Sequence, residues 1–573
     1  MKKMITYKII SLFVIASLAA GCNAFLDEVE PQGRELSEAY MNEENKAEKA
    51  VTAMYWMLSL NAGNGPDGNY VDNHYDLFLA NTASDDADKG SQLNDLPELQ
   101  TLNSYLFTAA ADRVMRPFYV HGFWAVAIAN YVLDNLETSP IDDYIKTRMQ
   151  GEAHFFRAYY YFYLLKHFGG VPILTGIVKS EDFGNVPRAT YSETFDFIIE
   201  EFKEAIRLLP PRSDYEAADL GRASRGSAQG MLARVMLYRI GTDPDAATKG
   251  TTWQALYDLT GEITGYSLMS NYAALFEEIT DGNWREESLF EYTGKDGWMN
   301  SGKVLNWYFQ ACRGDWYGMG WGFNQPTQDL VDAFGGVGSA DPRLSNTVFG
   351  IGINGSYLYG AQPPYNRGDD MMTNYYNRKA ALQGGFNAML NGTTKAMILI
   401  RYADILLMRA EAAYYIGNEQ EARSLVNQIR QRARQSSYCM GWNNTTGFSQ
   451  YPDATAVAAQ LPDITATGTA LLEAIWHERR LELAMEDFRT FDLVRTGRLL
   501  ENVGKVKDDY RNPAHANYKN NGEVRIPGIR ENIQRYCMHK TVNVPGTVPD
   551  RYIPTFPIPE SEINYWNIDA SIQ

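Results

Sequence analysis

The sequence predicts an all-α dominated protein: helical hairpins forming a scaffold, with a loop-rich irregular insertion carrying the ligand surface. Three observations predict it. Apolar residues recur at three- and four-residue steps through most of the chain. The amphipathic segments come in adjacent pairs separated by Gly, Pro or Asn punctuation. From Asp281 to Gly392 this periodicity stops, and Gly, Asn, Tyr and Trp take over. The divisions that follow are 1–21, a helical part 22–280, the insertion 281–395, and a second helical part with its tail, 396–573.

The start of the chain is a targeting segment. Lys2, Lys3 and Lys8 precede an apolar run, Ile9 to Ala20, that is too short to span a bilayer. Ala19, Ala20 and Gly21 then lead into Cys22, which resembles a bacterial lipobox with Ala at the position that usually holds Leu. That resemblance implies acylation of the Cys22 thiol and a lipid-anchored mature chain. An ordinary signal peptide cut near a cysteine is the alternative. Cys312, Cys439 and Cys537 are widely spaced and odd in number, so they read as buried or idle thiols.

The helices follow in order. Asn42–Leu60 places Ala47, Ala50, Val51, Met54, Met57 and Leu58 on one face. A Gly/Asn-rich loop containing Asn73, His74 and Tyr75 comes next, then the acidic "SDDADKG" with Asp85, Asp86 and Asp88. The sharpest helix runs from about Asp143 to Phe168, where Gly169 and Gly170 stop it. Its partner opens on a capping box, Thr190 and Glu193, and carries the stripe Phe195, Ile198, Ile199, Phe202, Ala205, Ile206 and Leu209. "GRASRGSAQGMLARVMLYRI" with "WQALYDLTGEIT" forms a second pair, and Arg401–Gly417 with Asn418–Arg434 a third. The pairs resemble tetratricopeptide hairpins, although no regular period of about 34 residues appears. Generic helical hairpins are the competing reading. One more helix covers "ALLEAIWHERRLELAMEDFRTFDLVRTGRL", on which Arg479, Glu482, Glu486, Arg489 and Asp492 share a face. An internal ion-pair ladder is favoured there over a polar docking surface.

The insertion holds five of the eleven tryptophans: Trp284, Trp298, Trp307, Trp316 and Trp321. An aromatic ring covers the C–H face of a sugar at small entropic cost, while amides, carboxylates and guanidinium groups read the hydroxyls. The stretch Asn306–Gln325 supplies both kinds of group. Some of these rings belong to a core. The candidate ligand residues are Trp298, Trp316, Tyr317 and Trp321, with Arg313 and Asp315 as polar partners. Asn73, His74 and Tyr75 are secondary candidates.

Several blocks coincide in order. "GEAHFFRAYYYFYLLKHFGGVPI", "GRASRGSAQGMLARVMLY", "YSLMSNYAALFEEITDGNWREESLFEY", "FNQPTQDLVDAF" with "DPRL", "ILIRYADILLMRAEAAYYIGNEQEARSLVNQIRQRA", "IWHERRLELAMEDFRTFDLVRTGRL" and "TFPIPESEINYWNIDAS" together resemble the SusD/RagB family. The resemblance covers nearly the whole chain. It implies an outer-membrane lipoprotein, a tetratricopeptide-type scaffold, and a partner, a SusC-type TonB-dependent barrel. It also implies a nutrient ligand, mostly oligosaccharide and in some members peptide, and no catalysis. No individual ligand residue carries over by identity.

Exclusions agree. The formal charge is −18, and removing residues 1–21 takes out three lysines and no acid, giving −21. Such a chain lacks the basic face that nucleic acid demands. No P-loop or GxSxG motif is present, and "WHERRL" has Leu481 where HExxH needs histidine. Asp85, Asp86 and Asp88 read as capping and turn residues rather than as a catalytic pair. Calcium would suit their oxygens, but the EF-hand pattern is missing and no cofactor is implied. Four readings stand side by side: glycan capture, peptide capture, a surface glycoside hydrolase and a pure scaffold. Cys22→Ser is expected to move the protein from the membrane to the soluble fraction on cell fractionation. Retention in the membrane would refute the lipid anchor.

Overall fold

The computed structural model describes residues 40–59, 80–91, 95–106, 112–178, 184, 186–277, 286–292, 307, 309–312, 320–350, 352–355, 373, 375–381, 395–439, 442–443, 447–448, 457–511 and 553–566. Its principal helices are α1 (Glu44–Trp56), α2 (Asp112–Leu136), α3 (Asp143–Phe168), α4 (Tyr191–Leu208), α5 (Arg225–Thr242) and α6 (Trp253–Glu262). After the insertion come α7 (Tyr402–Tyr415), α8 (Glu419–Gln435), α9 (Thr469–Glu482), α10 (Arg489–Arg495) and α11 (Leu499–Arg511). Strands are short: β1 (Ala87–Gly90), β2 (Ser288–Tyr292), β3 (Phe323–Pro326), β4 (Val348–Gly350), β5 (Tyr375–Asn377) and β6 (Met397–Arg401). They pair as three antiparallel two-stranded ladders, β1 with β3, β2 with β6 and β4 with β5.

Helix α3 is the axis of the scaffold. It packs against α2 on one side and α4 on the other, and α5 continues the layer from α4. Phe155, Phe156, Tyr160, Tyr161, Phe162 and Tyr163 are all buried, so rings fill the gaps to both neighbours. Asp142 caps its start by accepting from the Tyr144 and Ile145 amides. At its end, a Cβ on Gly170 would lie 2.1 Å from the Ala189 carbonyl oxygen, so only glycine lets the chain leave there. The capping box at Thr190 and Glu193 is present. A second one, Ser224 with Ser227, begins α5 without the usual acidic partner. Phe556 of the tail inserts beside His167 and Phe118, its amide donating to the His167 carbonyl at 2.6 Å. Helix α6 packs on α7, and α7 pairs with α8. The second and third hairpins are therefore neighbours in space, and the insertion emerges from between them.

Two expectations change. Sequence reading assigns no helix to 112–136, yet α2 lies there, with Pro117 near its start. The segment 470–499 is not one helix. Met485 and Asp487 adopt left-handed backbone (φ 61° and 70°) between α9 and α10, and Gly497 (φ 72°) lies between α10 and α11. The break turns Glu486 inward, where it accepts from Arg401 at 2.7 Å and from Lys379 at 2.7 Å.

The internal ion-pair reading holds in a larger form. Glu482 is fully buried and accepts from Arg401 (2.6 Å), Arg343 (3.1 Å) and Arg432. Arg401 also binds Glu287 and Glu486, Arg432 binds Glu287, and Arg343 and Arg430 share Glu478. Asp341 and Lys379 complete a cluster of five cations and five carboxylates, so its net charge is zero. That balance is what makes its burial tolerable. Burial opposes ionisation of Glu482, but Arg432, Arg401 and Arg343 outweigh it and hold the carboxyl well below the usual range. Asp404 is likewise drawn against burial down to about 2 by Arg479 and Arg234.

Asp85 and Asp86 belong to this chemistry rather than to caps or turns. Arg489 grips Asp85 with two bonds of 2.7 Å, and Arg480 binds Asp86 at 2.7 Å. Cys312 and Cys439 are buried thiols, as expected.

Glu482→Gln should cost about 3–5 kcal/mol in urea denaturation, because three guanidinium groups lose a shared charge partner. Lys203→Ala, in an exposed pair with Glu200, should change nothing measurable. The pH dependence has a fixed sign. Glu482 and Asp404 have lowered folded pKa values, so their stabilisation is complete above about pH 5, where free carboxyls are ionised. It is lost as pH falls toward the folded values, and Glu482→Gln should flatten that acid limb.

Candidate functional site

The described part of the insertion builds outward from the β1–β3 ladder. Gly90 faces Phe323 across it, and a Cβ on Gly90 would sit 2.5 Å from the Gly322 carbonyl oxygen. That close approach, with Gly322 in left-handed backbone (φ 68°), turns the chain just before β3. Trp321 is thereby placed at the outer end of the strand, 39% exposed. Its ring meets buried Phe309 edge to face at 4.5 Å, and Phe309 rests on Phe323 at 5.6 Å. The Lys89 ammonium lies 5.3 Å from the centre of the Phe323 ring. One side of Trp321 is thus fixed by a ring stack while part of its surface meets solvent.

A polar layer lies next to the rings. Asn324, in left-handed backbone (φ 51°), donates from Nδ2 to Gln310 Oε1 at 2.8 Å. The same oxygen accepts from Asn377 Nδ2 at 2.8 Å. A cavity of about 40 Å³ opens beside this layer, lined in part by Trp307, Gln310, Asn377, Lys379, Lys395 and Glu486. The Trp307 indole N–H and Asn377 Oδ1 are buried there without a hydrogen-bond partner among the described residues. The space fits a water or a hydroxyl, not a ring. Lys379 forms one wall. Burial pushes its ammonium down to about 8, and Glu486 opposes that shift.

Of the candidate ligand residues chosen from sequence, Trp321 lies within the described residues. Trp298, Trp316, Tyr317, Arg313, Asp315, Asn73, His74 and Tyr75 lie outside the described residues, as do Cys22 and Cys537. Sequence reading missed Phe309, Gln310, Asn324 and Asn377. The run "FNQP" was the available signal, since two adjacent amides next to a buried ring need partners. Chemically, the arrangement can stack on an apolar face and exchange hydrogen bonds through amides. Asp85 and Asp86 are both committed to buried ion pairs with Arg489 and Arg480. Burial opposes the Asp85 charge, but Arg480 and Arg489 outweigh it and keep that carboxyl ionised.

Comparison with known proteins agrees with this architecture. The chain matches the SusD family over residues 286–566 and a family described as "Starch-binding associating with outer membrane" over residues 25–237. It is 25% identical over 554 residues to SusD-like protein P25 of Formosa agariphila, covering 88% of this chain and 92% of that one. Among solved structures it is similar to a SusD-like carbohydrate binding protein from Bacteroides fragilis. That match has a TM-score of 0.67 at 22% identity and covers 92% of this chain and 99% of the other. It is also similar to surface glycan-binding protein A of Bacteroides thetaiotaomicron in complex with laminarihexaose. There the TM-score is 0.60 at 18% identity, with 91% and 97% of the two chains covered. Helical hairpins, the ordered blocks and both family matches lead to one conclusion: the chain belongs to the SusD/RagB family.

Proposed function

We propose that this protein is a non-catalytic, lipid-anchored binding protein of the outer membrane. It captures oligosaccharides at the cell surface and passes them to a SusC-type TonB-dependent barrel. The observation that carries the reading is Trp321, a part-exposed indole fixed by Phe309 beside a layer of amides. A ring held in place loses little entropy when a sugar stacks on it, so the contact energy is retained. Trp298, Trp316 and Tyr317, with Arg313 and Asp315, would extend the platform, and Asn73, His74 and Tyr75 would border it. A laminarin-binding SusD-like protein and the laminarihexaose complex among the structural relatives support a neutral glycan as ligand.

The test is calorimetric titration of the mature chain with laminarihexaose, maltohexaose and a peptide pool. Binding of a glycan, weakened about thirtyfold by Trp321→Ala, is expected. That corresponds to roughly 2 kcal/mol, the size of a stacking hot spot. Peptide binding without glycan binding would replace this reading with peptide capture, and release of reducing ends would make the protein a hydrolase. Delivery is tested separately, by co-purification of the barrel with the tagged protein from membranes.

A further inference from the structure

The connection between α5 and α6 forms a second concave surface, built from residues unrelated to Trp321. Helix α5 ends at Thr242, and the chain passes through a turn to Thr252, which caps α6 by accepting from the Ala255 amide at 3.1 Å. Trp253 is the first residue of α6. Its ring lies parallel to Tyr415 at the end of α7, with centroids 4.1 Å apart and planes 12° from each other. Trp253 also lines a cleft of about 540 Å³, with Pro244, Ala247, Thr251 and Ile553 among its walls. Tyr415 does not line that cleft, and its parallel contact fixes the orientation of the indole. Trp253 is therefore a partly exposed cleft residue whose indole is held in place by Tyr415 and the core beneath it.

The walls describe the ligand. The volume falls in the range of small-molecule sites, roughly 300–1,000 Å³. Pro244, Ala246, Ala247 and Ile553 are apolar, while Thr251 and Thr252 bring hydroxyls. The one ionisable side chain in the walls, Asp243, is buried and bound by Arg239 at 2.9 Å. No free charge among the described walls is left to reward a charged ligand. An indole, apolar walls, threonine hydroxyls and no free charge together suit a neutral pyranose.

We propose that this cleft is a second site for a neutral sugar, stacked on Trp253. The proposal rests on the reading of the protein as a glycan binder, and it adds a contact on the hairpin scaffold itself. Two sites on one rigid body would let a long glycan bind with avidity where its length spans both, and let short ones occupy them independently.

The experiment is calorimetry of the mature chain with laminaribiose and laminarihexaose, and with maltose and maltohexaose. The variants are Trp253→Ala, Ala247→Arg and Trp321→Ala, each checked for an unchanged melting curve. Ala247 is exposed, so Ala247→Arg obstructs the cleft without disturbing the core. The expected result is two disaccharide sites in the unmodified chain. Trp253→Ala and Ala247→Arg should each remove one, leaving the site that Trp321→Ala removes. If both cleft variants bind with unchanged stoichiometry and affinity, the second site is overturned while the Trp321 reading stands. If Trp321→Ala changes nothing and the cleft variants abolish binding, this proposal stands and the Trp321 platform falls. Absence of any sugar binding by the unmodified chain overturns both.

Discussion

The structure depends on a balanced set of buried charges centred on Glu482. Arg343, Arg401 and Arg432 converge on this carboxylate from three different parts of the chain. Arg343 opens a short helix in the insertion, Arg401 closes β6, and Arg432 belongs to α8. Burying so many ions is costly, and an apolar core of equal volume would serve stability as well or better. What the ions add is geometry. A guanidinium group satisfied by two carboxylates accepts only one arrangement of the elements that carry them. Loops with little regular structure of their own are thereby given fixed positions against helices.

The same device reaches the candidate site. Arg480 and Arg489, just beyond the Glu482 cluster on α9 and α10, hold Asp85, Asp86 and Asp329. Asp86 and Asp329 flank the β1–β3 ladder that presents Trp321. Aromatic stacking rewards a ring that is already in place, and a two-stranded ladder alone is too small to be stable. Anchoring by buried ion pairs supplies what strand pairing lacks.

The helical frame was largely legible. The ends of α3, the capping box before α4 and the buried stripe of α4 follow from 3.6-residue periodicity and from end signals that act locally. The break after Glu482 was not legible, because nothing in "LELAMEDF" forbids a helix. Only partners distant in sequence, Arg401 and Lys379, make the left-handed turn at Met485 worthwhile. Helix α2 escaped for a different reason: its residues do bury one face, but Pro117 inside it reads as a helix breaker. In the insertion, composition correctly marked a region dense in rings, and Trp321 was picked out by its glycines. Phe309, Gln310, Asn324 and Asn377 join it through contacts that no spacing rule encodes. The Trp253–Tyr415 stack is likewise invisible in sequence, because its two rings come from different hairpins.

The claim that ion pairs from α9 hold the platform to the scaffold is tested most directly by hydrogen exchange on Arg480→Met. This change removes the guanidinium shared by Asp85, Asp86 and Asp329 while keeping an apolar stem. The account predicts faster exchange at the amides of Ala87–Gly90 and Phe323–Pro326, with α3 and α4 protected as before. Unchanged protection in the two strands, or an even loss across the helical hairpins, would contradict it.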